Sequence, residues 1–408
     1  MAENRGMEYL RRKLNLRRSR VLTRYKFYEM KNQVPDFGIS TPPGLRLMKT
    51  SLGWCGKAVD ALADRLVFRT FGEDNFELNR IYQMNNPDVL FDAAILAALI
   101  GSCSFLYISP DESGYPRLQV LDGSDATGVI DPITNMLQEG YAVLKRDDAG
   151  QPVREAYFLP GKTVYYEGGR EVRADANPAL WPLLVPVIYR PDAKRPFGHS
   201  RISRACMDIV RSAQRSVKRA EVSAEFYSYP QKYVLGTSQD LEPMETWKAS
   251  MSALLEFTKD EEGDHPTVGQ FTQQSMSPHT EQIRMFAALF AGETGLTLDD
   301  LGFVTDNPSS AEAIKASHEN LRLTARKAQR TFGSCFLNAG YLAACLRDDF
   351  PYERRQIYLT QPKWEPVFEP DAAALSVIGD GIVKINQAVP GYFNGENLRD
   401  LTGIGAGQ

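Results

Sequence analysis

Between Pro308 and Pro351 the chain contains no proline, and this interval constrains the fold more than any other stretch. A helix interior rejects proline, which lacks an amide donor and clashes with the preceding turn, so a proline-free run with the right periodicity can stay helical throughout. Asn307-Pro308 is a turn dipeptide, because the ring excludes the residue before it from helical space. Ser309 stands three residues before Glu312, the capping-box spacing in which hydroxyl and carboxylate each satisfy an orphan backbone amide. The helix is expected to start at Ser309 or Ser310 and to run for roughly forty residues, or about 55 Å. Gly333 and Gly340 are its expected bend points. Ile314, Leu321, Ala325, Ala328, Phe332 and Phe336 form an apolar stripe. Lys315, Arg322, Arg326, Lys327 and Arg330 occupy much of the remaining surface, as a solvated face or as a contact surface.

A chain of 408 residues, 43% hydrophobic, holds a sizeable core and roughly two to four structural units. A net charge of -4 and a pI near 5.8 argue against coating nucleic acid by bulk charge, so any nucleic-acid role must be regional. The five cysteines, without CxxC spacing, suit reduced thiols packed as small hydrophobes. The N-terminus lacks the apolar core of a signal peptide. The most apolar run, "AAILAALIGSCSFLYI", is shorter than the ~18 residues of a membrane span. These features predict a soluble, cytosolically synthesised protein that does not engage a membrane.

The first thirty-three residues carry ten Lys or Arg against three acidic residues and read as helical. They form either an arm that touches nucleic acid, a partner or a charged surface, or a solvated helix or frayed end. "SLGWCGKAVDALADRLVF" and Asp88 to Ile100 are helical, and Gly101 ends the second. From Ser104 to about Tyr189, apolar runs separated by "SPDESG", "DPITN", "DDAGQP" and "EGG" predict strands and hairpin turns. A helix follows from about Ser203 to Tyr227. Ile202, Ile209, Ala213, Ala220 and Ala224 lie on one side of it and Arg204, Arg211, Arg215 and Arg219 on another. "QKYVLG", a helical "PMETWKASMSALLEF", the acidic "KDEEGDH" and "TVGQFTQ" make a strand-helix-strand insert. Ser277-Pro278 then starts a second helix running to about Gly292 or Gly295. Beyond Pro351 come an extended proline-spaced strip and, from Asp371, a short helix followed by "NGENLRDLTGI".

Catalytic signatures are weak. "GHSRI" and "GTSQD" lack the final glycine of a nucleophile elbow. The four histidines fit no HExxH pair, and His265 and His279 have no cysteine nearby to complete a metal set. "DEEGDH" lacks the spacing of a calcium loop, "GIGAGQ" has no preceding strand, and no phosphate loop is present. No cofactor, metal or catalytic residue is expected. By elimination, the basic helices and the order of elements carry the function.

That order resembles the portal protein of tailed bacteriophages, of the siphophage type, from about Ser51 to Ile404. The resemblance rests on "GSCSFLYISP", on "LVPVIYRPDAKRPFGHSRIS" leading into a helix and "YSYPQKYVLG", and above all on "TDNPSSAEAIKASHENLRLTARKAQRTFG". It implies an α+β portal-protein fold: an N-terminal wing over 1–200, stem helices over 201–228 and 277–295, an α/β clip over 229–276, further wing with a channel loop and the long helix over 296–370, and a short helical crown over 371–408. It also implies a homododecameric ring at the capsid vertex through which terminase packages double-stranded DNA, with later ejection and joining of head to tail. The implied partners are further copies of the chain, DNA in the channel, terminase, a head-tail adaptor, and the major capsid protein or a scaffold. The protein would be made in the host cytoplasm and end in the virion.

On the same basis Gly302, Phe303, Val304, Thr305, Asp306, Asn307, Ser309 and Ser310 belong to the channel loop. Arg211, Arg215, Arg219, Lys315, Arg322 and Arg326 are candidates for DNA or intersubunit contacts, with Asp208 and Glu221 as possible carboxylate partners across subunits. Lys259, Asp260, Glu261 and Glu262 mark the clip interface. Two alternatives remain at this point. One is a nucleic-acid-processing enzyme or clamp, which would need clustered carboxylates for metal ions; the other is a poreless capsid or tail scaffold component.

Overall fold

The structure is a computed structural model and describes residues 4–34, 49–228, 232–235, 267–270, 275–303, 311–368, 370 and 372–404. The chain divides into two compact units. The first comprises Met1–Asn32, Gly53–Met207 and Thr294–Gln408, and the second Gln33–Leu52 and Asp208–Glu293. Helices and strands are largely segregated along the chain, so the fold class is α+β.

The first unit opens with α1 (Met7–Tyr28), α2 (Trp54–Ala63), β1 (Phe68–Gly72), α3 (Leu78–Gln83) and α4 (Pro87–Gly101). Pro87 opens α4, where its missing amide costs nothing. Gly101 is the last helical residue before Ser102, whose φ is 90°. Eight strands follow: β2 (Cys103–Pro110), β3 (Pro116–Asp122), β4 (Ala126–Ile130), β5 (Leu137–Arg146), β6 (Pro152–Leu159), β7 (Lys162–Glu167), β8 (Arg170–Ala176) and β9 (Leu184–Ile188). They form a three-stranded antiparallel sheet in the order β3-β2-β9 and a five-stranded meander, β4-β5-β6-β7-β8. The turn chemistry expected from the sequence sets these hairpins. Asp111 accepts from the amides of Ser113 and Tyr115, Asp131 from that of Ile133, and Asp147 from that of Gln151. Gly114, Asn135, Gly150, Gly168 and Gly169 supply the positive φ values.

The second unit contains most of α5 (Arg204–Ser228), the antiparallel pair β10 (Lys232–Leu235) and β11 (Thr267–Gln270), and most of α6 (Ser277–Thr294). "QKYVLG" and "TVGQFTQ" therefore pair as strands, with Tyr233 opposite Gly269; the helix expected between them lies outside the described residues. Within this unit Ser216 donates to Gln282, joining α5 to α6. The apolar side of α5 differs from expectation. Val210, Ala213 and Val222 are buried with Gln214 and Ser216, while Ile209, Ala220 and Ala224 are only half-buried. Polar groups inside the stripe find partners: Gln214 donates to the Thr50 carbonyl and Ser216 reaches Gln282, a pattern that apolar periodicity cannot reveal.

Back in the first unit come α7 (Ala311–Ser317), α8 (Glu319–Arg347), β12 (Gln361–Trp364), α9 (Ala372–Ala388) and α10 (Gly395–Thr402). The expected single long helix is thus two, and the break falls at His318 instead of at either glycine. Ser317 Oγ and His318 Nδ1 both engage the Ile314 carbonyl, at 2.7 and 2.9 Å. Side chains that compete for a helical carbonyl in this way loosen the ladder. Gly333 and Gly340 are points of close approach. A Cβ on Gly333 would lie 2.7 Å from Pro362, and one on Gly340 3.0 Å from Leu78. Leu321, Ala325, Ala328, Phe332 and Phe336 are buried as expected, but Ile314, on the far side of the break, is 49% exposed.

Aromatic packing ties these elements together. Phe68 on β1 lies 4.3 Å from Phe91, which lies 4.6 Å from Phe336 on α8, and Phe68 meets Trp364 of β12 edge-on at 5.2 Å. Tyr82 adds a hydrogen bond to the Phe336 carbonyl. Such tilted ring pairs add roughly 0.5–1.5 kcal/mol each beyond area burial. β12 pairs antiparallel with β1, which places Trp364 beside α8.

The basic N-terminus is neither a free arm nor a frayed end. Leu10, Leu14, Val21 and Phe27 of α1 are buried, and Leu10 and Leu14 pack with Tyr141 and Val143 of β5. Several of its cations are used within the subunit. Arg11 forks onto the buried carboxylate of Glu155, which Tyr141 also contacts. Arg24 donates to the Gly101 carbonyl, and Lys13 donates to that of Gly128. Arg17 and Lys13 both cover the Phe197 ring. Burial and the neighbouring charges of Arg17 and Arg5 lower the Lys13 ammonium to about 8.

Candidate functional site

The expected channel loop is described only at its first two residues; Val304, Thr305, Asp306, Asn307, Ser309 and Ser310 lie outside the described residues, as does the predicted capping box. What precedes it is firmly built. A short 3-10 turn, Asp299–Leu301, ends at Gly302, whose φ is 87°, and the Gly302 amide closes onto the Asp299 carbonyl. Phe303 meets Trp54 edge-on at 6.5 Å. On the opposite side of the loop, His318 Nε2 reaches Asp300 at 3.2 Å, so the residues that flank the loop in sequence are tied to each other. Burial works against the charge on Asp300. The amide and hydroxyl of Thr297, with His318, outweigh it and hold this carboxyl below the usual range.

The candidate cations of α5 are placed differently from one another. Arg211 pairs with Asp208 at 3.0 Å within its own helix, and Arg215 donates to Ser212. Asp208 is therefore engaged within the chain, and Glu221 accepts a hydrogen bond from Thr50. Arg219 is exposed. Lys259, Asp260, Glu261 and Glu262 lie outside the described residues.

Along α7 and α8, Lys315 is exposed. Arg322 forks onto Glu319 with both contacts at 2.6 Å, and Arg322 in turn holds the Glu319 carboxyl below its ordinary value. Arg326 points into a different environment. With Lys327 and Arg330 it lines an open groove of about 900 Å³ whose apolar walls are Leu323, Leu337, Pro362 and Trp364. Among the described residues none of these three cations forms a salt bridge. The sequence marked the cations but not Pro362 or Trp364, since the β1 pairing that brings β12 alongside leaves no trace in local periodicity.

The serine of "GHSRI" is built into the scaffold. Ser200 is buried and donates to the Ile100 carbonyl, while His199 pairs with Asp192. Gly198 is required by its neighbourhood: its φ is 71°, and a Cβ would lie 2.1 Å from the Tyr189 carbonyl oxygen. Arg201 is buried and donates to the carbonyls of Ala58 and Thr294. Among the described residues no three His, Cys, Asp or Glu side chains cluster as metal ligands would, and no helix is long and apolar enough to cross a membrane.

No family model matches the chain. It is 24% identical over 345 residues to the portal proteins of Mycobacterium phage L5 and Mycobacterium phage D29, covering 78% of this chain and 69% of each relative. The resemblance to phage portal proteins carried by the local motifs thus extends over most of the sequence. Among solved structures the chain is similar to a chain from the neck of an empty gene transfer agent particle, with a TM-score of 0.48 and 17% identity over 90% of this chain and 96% of that one. A second, from the virion of a native gene transfer agent particle, gives a TM-score of 0.48 and 18% identity over 95% and 100%.

Proposed function

We propose that the chain is a portal protein: twelve copies form a ring at one capsid vertex, DNA enters and leaves through its centre, and head and tail are joined there. The likeness to two phage portal proteins over 345 residues carries this reading. The layout of charge is in keeping with it. A sliding duplex calls for exchangeable contacts directed at phosphates, without base readout, and exposed cations at Arg219 and Lys315 meet that need. In this reading α5 and α6 form the stem, the insert between them is the clip that meets terminase and then the adaptor, the residues from Gly302 to Ser310 face the channel, and α9 with α10 forms the crown. The protein acts as a conduit and supplies no chemistry of its own, terminase providing the motor. Ser200 is committed to the Ile100 carbonyl, which leaves it no nucleophilic role.

Mass photometry and negative-stain electron microscopy of the purified protein test the proposal. A pored ring with about twelve times the mass of one 45.7 kDa chain is expected. A monomer, or an assembly without a pore, would overturn it.

A further inference from the structure

The groove on α8 bears three cations that form no salt bridge among the described residues, and four apolar walls, and the opposite character occurs elsewhere on the same unit. At the start of α4, Asp88, Val89 and Asp92 are exposed, Val89 to 71%. Among the described residues neither Asp88 nor Asp92 forms a salt bridge. Partial burial and the charges of Asp88 and Asp64 raise the Asp92 carboxyl above its ordinary value, the mark of an acidic patch with no compensating cation close by. The two surfaces also match in register. Asp88 and Asp92 are one helical turn apart, as are Arg326 and Arg330, so each pair spans about 6 Å. Antiparallel packing would set Asp88 against Arg330 and Asp92 against Arg326, with Val89 between them over Leu323 and Trp364.

We infer that the α8 groove receives the N-terminal turns of α4 from a second copy of this chain. The inference rests on the ring reading and deepens it. The two surfaces are different patches on each copy, so the contact is heterologous, the kind that repeats head to tail and closes into a ring. Complementary charge fixes the register and disfavours other docking, while the apolar walls supply burial. A duplex would find phosphate contacts in the same three cations but no counterpart for Leu323, Leu337, Pro362 and Trp364, a wall composition suited to a protein surface.

The test uses the full chain. Arg326→Glu with Arg330→Glu, and separately Asp88→Lys with Asp92→Lys, should each weaken assembly about tenfold or more, read by mass photometry across a dilution series. Combining all four reversals should restore rings, which also shows that loss in either parent is not misfolding. Val89→Cys with Leu323→Cys should yield a covalent ladder of subunits on mild oxidation. If the wild type forms rings and the Arg326→Glu, Arg330→Glu variant assembles equally well, the interface is wrong while the ring stands. Intact rings that have lost only the capture of labelled duplex would assign the groove to DNA and equally overturn the inference. A wild type that stays monomeric would sink the ring reading itself and the interface with it.

Discussion

Arg201 commits a buried guanidinium to two main-chain oxygens, those of Ala58 and Thr294. Thr294 ends α6, where the helix dipole favours a cation. Arg201→Met keeps the bulk but strands both carbonyls, and the expected loss is about 2–4 kcal/mol in urea unfolding. A change below about 0.5 kcal/mol would mean that the oxygens find other partners. Lys13 gives a prediction in pH. Its folded value of about 8 lies below the ordinary 10.5. Between the two the unfolded chain keeps a proton that the folded chain has shed, so this residue makes stability rise with pH across that window and contributes no slope below it. Lys13→Met should remove that rise. The comparison must be made between variant and wild type, because burial raises the Cys103 and Cys345 thiols and these slope the opposite way. Parallel stability curves for the two proteins between pH 8 and 10.5 would refute the assignment.

Gly333 sits inside α8, where alanine would ordinarily gain about 1 kcal/mol of helix propensity. Here the added Cβ would press on Pro362 at 2.7 and 2.9 Å, part of a strand fixed by its pairing with β1. Gly333→Ala is therefore expected to destabilise by about 1–3 kcal/mol, whereas Gly340→Ala, which meets the end of the Leu78 side chain at 3.0 Å, should be close to neutral. Equal thermal shifts in the two variants would contradict this difference. These glycines also show how far the sequence could be read. Strands β2 to β9 and their turns were legible because turn chemistry is local: Asp111, Asp131 and Asp147 each announce a hairpin within a few residues. Helices α4, α5 and α6 were legible from period and proline placement. The break at His318 was not, since it depends on two side chains choosing one carbonyl. Nor was the groove, which exists only because β12 returns to β1 from almost three hundred residues away. Within the site, the periodicity gave the cations of α8 but could not say that Arg322 is forked onto Glu319 while Arg326 is not. At the C-terminus, Asp400 of α10 bridges Arg69 on β1 and Lys363 on β12 at 2.5 and 2.6 Å. Asp400→Asn should free α10, visible as new cleavage after α9 in limited proteolysis while the core transition is kept. An unchanged digest would show that other contacts hold the helix.

At the scale of the molecule, α9 stands out because much of its apolar surface is exposed. Val377 is 73% exposed, Val383 and Ile385 are exposed too, and a Cβ on Gly379 or Gly381 would meet nothing. The second unit permits a cleaner manipulation. Removing residues 235 to 270 should leave the first unit folded, judged by its thermal transition, and abolish binding of terminase or of the tail-side adaptor; normal DNA packaging by such a protein would defeat the clip assignment.

The chain leaves the first unit twice, at Asn32 and at Met207, and returns at Gly53 and Thr294. Both departures are closed at the base. A Cβ on Gly53 would lie 3.4 Å from the Met30 sulfur, and Arg201, just before α5, bonds the Thr294 carbonyl where α6 ends. Each excursion is thus a detour whose entrance and exit are already joined. Such detours can lengthen, shorten or be exchanged between lineages without redesign of the scaffold that carries them. If the insert is the clip proposed above, a phage could acquire a new tail partner by recombining the stretch between Met207 and Thr294 alone, and an engineer could use the same two junctions to graft a foreign module.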